Sequence, residues 1–204
     1  MTLIQPTYFS PIIQYVAIAK SKEIVFEVED NYQKQTYRNR CYISTANGKH
    51  LLNVPVQHNK GVKQKSKDTK IDYKDDWHKL HVKTLQTAYS SSPFFEFYID
   101  DLLPIFEKRN LFLVDLNLKC HEFMMDALQL EISTSKTTEY HKEVDFLDAR
   151  NLVIAKSNNE FNFNRYIQVF EQNHGFISNL SILDLLFMEG PNALNYLESQ
   201  TVNL

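Results

Sequence analysis

The chain has 204 residues, which fits one domain of ordinary size, and its formal net charge is −3 at pH 7. This balance disfavours nucleic acid or an anionic membrane as a partner, so any anion site must be a local patch. The sequence has no apolar run near the roughly 20 residues that span a bilayer, and no basic start followed by an apolar stretch. We therefore expect a cytoplasmic protein with no membrane span and no nucleic-acid partner.

The cysteines and glycines further limit which class of protein this chain can belong to. Cys41 and Cys120 are far apart in the chain, which predicts free, buried thiols in a reducing compartment. The chain has four glycines and none forms a G-x-G pair, which excludes a Rossmann fingerprint and a P-loop. Phosphate recognition would therefore use side chains or helix N-termini, and we predict no cofactor.

The chain begins with a strand and a helix. Residues 2–5 predict a short buried strand that Pro6 ends. Ser10 as N-cap and Pro11 at the first helical position predict a helix over residues 11–20.

A second strand and a hairpin follow. Residues 23–28 predict a strand, and residues 39–45 and 50–56 flank Asn47-Gly48, a strong signal for a two-residue turn. Residues 57–70 are rich in lysine and predict a mobile basic loop, either simply solvated or acting as a lid over an anionic ligand.

From about residue 74 the pattern becomes helical. We expect Leu80 and Phe97 on buried faces, Pro104 to kink or end its helix, and Asn110 to cap the next one. Apolar spacing predicts helices over residues 74–89, 93–107, 110–129, 163–172, 181–189 and 191–198. Residues 130–160 are weakly patterned. The order predicts an α+β fold in a single domain over residues 1–204, with a mixed α/β arrangement as the alternative.

Polar and aromatic side chains crowd into residues 30–40, which makes this segment the first candidate site. In an extended segment Arg38 and Arg40 would point to one side, and two neighbouring guanidiniums suit a phosphate or a carboxylate. The alternative is that they pair with nearby acidic residues, namely Glu27, Glu29 or Asp30. The other candidate ligand-binding side chains in this segment are Tyr32, Lys34 and Asn39.

His78 is the candidate general base. It lies three residues before His81, on the same face of a helix, but two histidines without a third ligand are a weak metal signal. A histidine near neutral pH is suited to proton transfer. Ordinary, partly buried histidines are the alternative, and we predict no metal site.

Two further segments supply candidates. Gln5 follows the first predicted strand, where α/β proteins often place ligand contacts, although a turn residue with satisfied hydrogen bonds is the alternative. Asn179 and Ser181 lie at a helix N-terminus, which can bind an anion. Asp184, three residues after Ser181, also fits a capping box without any function.

Several blocks in order resemble the WbqC-like protein family. They are Gln5-Pro6-x-Tyr8, Tyr32-Gln33-Lys34 with Arg38-Asn39-Arg40, the Asn47-Gly48 hairpin, Trp77-His78-Lys79 with Lys83-Thr84-Leu85 and Tyr89, and the segment from Asn179 to Phe187 with Glu189-Gly190-Pro191. The resemblance covers nearly the whole chain. The chain departs from the family in carrying Ile4 where a His usually precedes Gln-Pro, and in having a short region over residues 136–165.

The resemblance implies a bacterial, cytoplasmic protein linked to surface-polysaccharide (O-antigen) biosynthesis, and a transferase for sugar or acyl groups. Its substrate would be a nucleotide-linked sugar or a similar phosphorylated or carboxylated small molecule. Lys34, Arg38 and Arg40 would hold phosphate, and His78 or Asp184 would act as base. The remaining contacts would come from Gln5, Tyr8, Tyr32, Asn39, Trp77 and Asn179. The alternative is a non-catalytic binding or assembly protein.

Overall fold

The computed structural model describes residues 1–57, 63–156 and 161–201. Its strands are β1 (Thr2–Ile4), β2 (Glu23–Phe26), β3 (Arg40–Thr45), β4 (Gly48–Asn53), β5 (Ser133–Lys136) and β6 (Leu147–Asp148). Its α-helices are α1 (Ile12–Ala19), α2 (Trp77–Tyr89), α3 (Phe95–Glu107), α4 (Leu113–Leu128), α5 (Glu171–His174), α6 (Ile182–Glu189) and α7 (Ala193–Ser199). The predicted α+β fold is confirmed, because a parallel sheet and a separate hairpin are followed by a mostly helical second half.

The parallel sheet has the order β5-β2-β1-β6. β1 pairs with β2 in the register Leu3 to Val25, and α1 connects the two strands. Parallel strands need such a crossover, and α1 fills it because residues 12–18 are all buried. Leu3 and Ile4 are also almost fully buried, so β1 is an inner strand of the sheet.

The sequence did not predict the two outer strands. Every residue of β5 and β6 is exposed, so neither strand carries the alternation of a half-buried strand. β5 pairs with β2, and β6 pairs with β1. Their pairing depends on partners more than a hundred residues earlier in the chain.

The hairpin is confirmed, but its turn lies one residue earlier than the predicted Asn47-Gly48. β3 and β4 form an antiparallel pair in which Thr45 faces Gly48, so Ala46 and Asn47 occupy the turn. Gly48 has a φ of +93°, which a glycine adopts without steric cost.

Several helix predictions were wrong in detail. Residues 163–172 do not form one helix, and only α5 begins near their end. Pro104 lies inside α3, which continues to Glu107. Leu80 and Phe97, expected to be buried, are 62% and 73% exposed. His81, which the apolar pattern did not select, is 3% exposed on the inner side of α2.

The helix N-termini also differ from prediction. α1 has Pro11 as its N-cap, and the side chain that bonds its first turn is Asn179, whose Oδ1 accepts from Ile13 N at 3.0 Å. Asn110 does not cap α4, whose N-cap is Phe112. The cap of α6 by Ser181 is confirmed, since its Oγ accepts from Leu183 N at 3.3 Å.

The core joins the sheet, the hairpin and the helices in one cluster of buried side chains that extends from β1 to α7. Cys41 and Cys120 are free and buried within it, as predicted. Within residues 1–57, 63–156 and 161–201, no helix is both long and apolar enough to cross a membrane.

The predicted basic loop is described only in part, because residues 58–62 lie outside the described residues and Lys60 is among them. The part that follows them contains a 3-10 turn over Ser66–Asp68. Lys65 and Lys67 both bind the Glu29 carboxylate, at 2.6 and 2.5 Å. Ion pairs and a helical turn therefore hold this stretch against the segment that follows β2.

Candidate functional site

The candidate site lies at the carboxyl edge of the parallel sheet. β1 is flanked by β2 on one side and by β6 on the other, so the strand order reverses next to β1. In open α/β sheets, ligands bind in the crevice outside the carboxyl ends of the strands at such a reversal. Gln5 is the first residue after β1 and therefore lies at this point.

A small cavity opens beside Gln5, with a volume of about 10 Å³ for the centre of a water-sized sphere. This is room for about one water molecule or one hydroxyl group. The residues that line it come from just after β1, from the loop between β2 and β3, from the first turns of α4 and from the basic segment. They are Gln5, Pro6, Tyr32, Arg38, Ser66, Leu113, Val114 and Asn117.

Asp30 organises one wall of the cavity. Its carboxylate accepts from Arg38 at 2.6 Å, from Ser66 Oγ at 2.5 Å and from Gln5 Nε2 at 3.1 Å. Arg38 is 3% exposed and Asp30 is 8% exposed, so this ion pair is almost completely buried. Burial lowers the pKa of Arg38, an effect that the neighbouring Asp30 carboxylate opposes.

Three buried polar atoms of the lining have no hydrogen-bond partner in the protein. They are Gln5 Oε1, Arg38 Nε and Asn117 Oδ1. Asn117 is 2% exposed and Gln5 is 3% exposed. Buried polar atoms are normally paired, so three unpaired ones around one cavity mark a place where a bound molecule would complete the hydrogen bonding.

Tyr32 also lines the cavity. Burial raises the pKa of Tyr32 to about 12, and the positive charges of Arg38 and Arg40 act against that rise. Gln5, Tyr32 and Arg38 are the predicted site residues that the structure brings together around the cavity.

The segment that precedes α2 is bonded to residues beside the cavity. Tyr32 N donates to Gln64 O at 2.8 Å, and Ser66 N donates to Asp30 O at 2.9 Å. Together with the pairing of Lys65 and Lys67 with Glu29, these bonds hold the segment against residues 29–32, and its Ser66 lines the cavity.

A second buried carboxylate lies after β2. Glu27 is fully buried and accepts from Glu29 N at 2.8 Å and from Thr137 Oγ1 at 3.0 Å. Its other oxygen is 3.4 Å from Arg150, which binds Asp148 as well. These contacts attach β5 and β6 to the edge of the sheet where the cavity lies.

The remaining predicted residues lie in other places. Tyr8 bonds the buried His81 through its hydroxyl at 2.8 Å. Trp77 contacts His81 and His78 edge to face, with ring centroids 5.1 and 5.8 Å apart. His78 is half-buried and its Nδ1 has no partner in the protein. None of the four lines the cavity.

Asp184 belongs to a buried polar network. Its carboxylate accepts from Tyr89 at 2.6 Å, from Tyr166 at 2.5 Å and from Gln168 at 3.2 Å. Burial raises the pKa of Asp184, and these three donors oppose the rise. Because its oxygens are occupied and it is fully buried, the carboxylate joins α2 to α6 rather than facing a cavity.

Lys34, Asn39 and Asn179 also lie away from the cavity lining. Lys34 is exposed. Asn39 donates to Asn53 Oδ1 at 3.1 Å and to Val54 O at 2.9 Å, which fixes the start of the hairpin. Asn179 accepts from α1, as described above.

A much larger cleft lies elsewhere, between α3 and α4, with a volume of about 700 Å³. Its lining includes Phe97, Asp101, Lys108, Glu122 and Asp126, a mixture of apolar and oppositely charged groups. None of the unpaired buried polar atoms belongs to a residue of this cleft. Size alone therefore does not make it the candidate site. Across the part of the chain that is described, no group of three His, Cys, Asp or Glu residues could hold a metal ion.

One comparison with known proteins shows the family. The model of the WbqC-like protein family matches residues 5–160 and 144–196. The chain belongs to this family. It is also similar to the uncharacterized protein Rv1507c of Mycobacterium tuberculosis (strain ATCC 25618 / H37Rv), with 29% identity over 97% of this chain and 96% of the relative. No solved structure matches the chain.

Sequence reasoning missed Asn117 and Ser66 as site residues. Asn117 lies on α4 with Leu113, Leu116 and Cys120, all of which are buried. A polar residue on the apolar face of a helix was the available signal for Asn117. No such signal marked Ser66, because it lies among lysines in a segment with little apolar content.

Proposed function

We propose that this protein binds a hydroxylated small molecule at the carboxyl edge of its parallel sheet, around Gln5, Arg38 and Asn117. The observation that carries the proposal is that three residues lining one cavity each hold an unpaired, buried polar atom. Buried sites of this kind provide the few placed polar groups that orient a ligand.

That the chain forms a single domain over residues 1–204 stays a prediction.

The reaction we propose is transfer from a nucleotide-linked sugar or a similar phosphorylated metabolite, in surface-polysaccharide biosynthesis. Family membership and the resemblance support this, and the positive charge of Arg40 acts on Tyr32, which lines the cavity. His78 would serve as base only if a ligand extended from the cavity to α2.

One observation favours the alternative of a non-catalytic binding protein. The described residues that line the cavity include no histidine and no carboxylate, and Asp184 is occupied by three donors. A group that transfers protons must be within hydrogen-bond reach of the reacting atom.

Calorimetric titration with a panel of nucleotide-linked hexoses tests the proposal. We expect saturable binding of at least one, weakened about tenfold by Gln5→Leu, which corresponds to roughly 1.4 kcal/mol. Gln172→Leu, on the exposed surface of α5, is the matched control. Absence of heat and of any thermal shift across the panel would contradict binding. Turnover that His78→Gln abolishes would support the transferase, and binding without turnover would support the alternative.

A further inference from the structure

The hydrogen-bonding roles of the three unpaired cavity atoms are fixed by the bonds of their neighbours. Gln5 Nε2 faces the Asp30 carboxylate at 3.1 Å, so the other amide atom is the acceptor Oε1. Asn117 Nδ2 donates to Pro6 O at 3.0 Å and to Arg38 O at 2.8 Å, so Oδ1 is again the free acceptor. Arg38 Nε–H is a donor. The residues that line the cavity therefore carry two unpaired acceptors and one unpaired donor, all three buried.

The charge of the cavity does not suit a phosphate. The Arg38 guanidinium is balanced by Asp30 at 2.6 Å, and the two amide oxygens would repel phosphate oxygens. The N-terminus of α4, where Leu113 and Val114 line the cavity, adds about half a positive charge. That attraction is outweighed by the cost of desolvating phosphate, because a doubly charged group would enter a space that holds about one water.

We propose that the cavity binds an uncharged hydroxyl group of a sugar or polyol, and that any phosphate of the same molecule stays outside it. A hydroxyl can accept from Arg38 Nε while it donates to Gln5 Oε1 or Asn117 Oδ1, and one hydroxyl fits the volume. A phosphate without a proton has only acceptors and would leave both amide oxygens unpaired. This inference rests on the proposed function, since it names the part of the ligand that the site buries.

Titration with three kinds of probe tests the inference: neutral hexoses and polyols, inorganic phosphate, and nucleotide-linked hexoses. We expect a neutral hexose or polyol to bind, with about tenfold loss of affinity in Gln5→Met, which removes the side-chain amide at similar size. Gln168→Met is the matched control, because Gln168 is equally buried and also donates to a buried carboxylate, that of Asp184 at 3.2 Å, but does not line the cavity. In the unmodified protein, excess inorganic phosphate should not displace the neutral probe, which is a measurement that does not depend on the folding of a variant.

Each outcome decides between the two proposals. Inorganic phosphate that binds and displaces the neutral probe would overturn the hydroxyl assignment and leave the proposed binding function intact. Equal affinity of nucleotide-linked hexoses for Gln5→Met and for the unmodified protein would also overturn the hydroxyl assignment and leave the proposed binding function intact. If no probe of any kind binds, the proposed function fails and the inference fails with it.

Discussion

At the scale of single residues, the positive charge of Arg38 is balanced inside the protein by one buried carboxylate. Its guanidinium and the Asp30 carboxylate are 2.6 Å apart, and both side chains are at least nine-tenths buried. A charge in that position is costly unless it is paired and hydrogen-bonded. Arg38 therefore contributes its remaining N–H donor to the cavity, and not an uncompensated positive charge.

Removing one member of this pair should destabilise the fold strongly. For Asp30→Asn or Arg38→Met, we expect the free energy of unfolding to fall by about 3–5 kcal/mol, because each change leaves an unpaired buried charge. The double variant should lose much less than the sum of the two. Urea unfolding measures all three, and Lys79→Met, in an exposed pair with Asp76, should change little. Additivity of the two single effects to within about 0.5 kcal/mol would contradict this coupling.

At the scale of elements, the segment of Lys65 and Lys67 is attached to the sheet edge through Glu29, at 2.6 and 2.5 Å. Hydrogen bonds from the two lysines lower the pKa of Glu29 from its ordinary value of 4.5. Both lysines are more than two-fifths exposed, so salt screens the pairs. This attachment holds Ser66 in the lining of the cavity.

Glu29→Gln should loosen the segment of Lys65 and Lys67 without unfolding the protein. We expect faster amide hydrogen exchange at residues 65–68, and an exchange rate in the unmodified protein that rises with ionic strength. Since the folded pKa of Glu29 is depressed, the attachment is present above about pH 4.5 and is lost as the pH falls through the lowered folded value. Asp76→Asn, which breaks an exposed pair within α2, is the control. Unchanged exchange in Glu29→Gln would show that backbone bonds alone hold the segment.

The end of α6 depends on one glycine. Gly190 has a φ of +52°, and a Cβ there would lie 2.5 Å from the Phe94 ring. Gly190→Ala should therefore cost about 1–2 kcal/mol for the backbone and roughly 1–3 kcal/mol more for the overlap. Gly48→Ala has the backbone cost alone, because nothing lies within 4 Å of its Cβ position. Thermal unfolding compares the two, and equal losses of stability would show that Phe94 moves aside without cost.

At the scale of the whole molecule, two buried histidines make the fold sensitive to acid. Burial lowers the pKa of His81 and of His121 to about 4, well below their ordinary value of 6.5. His81 bonds Tyr8, and His121 packs edge to face against Phe26. Both are neutral in the folded protein at pH values where the unfolded chain would protonate them.

The unfolded state therefore binds more protons between pH 6.5 and 4, so stability falls as the pH drops through this window. Above pH 6.5 the contribution is fully present, and its loss approaches about 3 kcal/mol for each histidine near pH 4. Urea unfolding at several pH values measures the slope. His81→Gln and His121→Gln should each flatten it, whereas the exposed His141→Gln should not. A profile that these two variants leave unchanged would contradict the assignment.

Local sequence patterns determined much of this protein. The Asn47-Gly48 pair and the helical spacing from residue 74 predicted the hairpin and most of the helices. These features depend on interactions between residues close in the chain, which periodicity and turn chemistry reflect directly.

The tertiary structure alone decided which side chains meet. β5 and β6 joined the sheet although their exposed residues carry no pattern, and Asn117 reached Pro6 and Arg38 across 111 and 79 residues. The partner of Arg38 was one of several nearby carboxylates, and folding selected Asp30. Hydrogen-bond and charge partners are set by positions in space, so the sequence could name Gln5 and Arg38 as candidates but not the cavity they share.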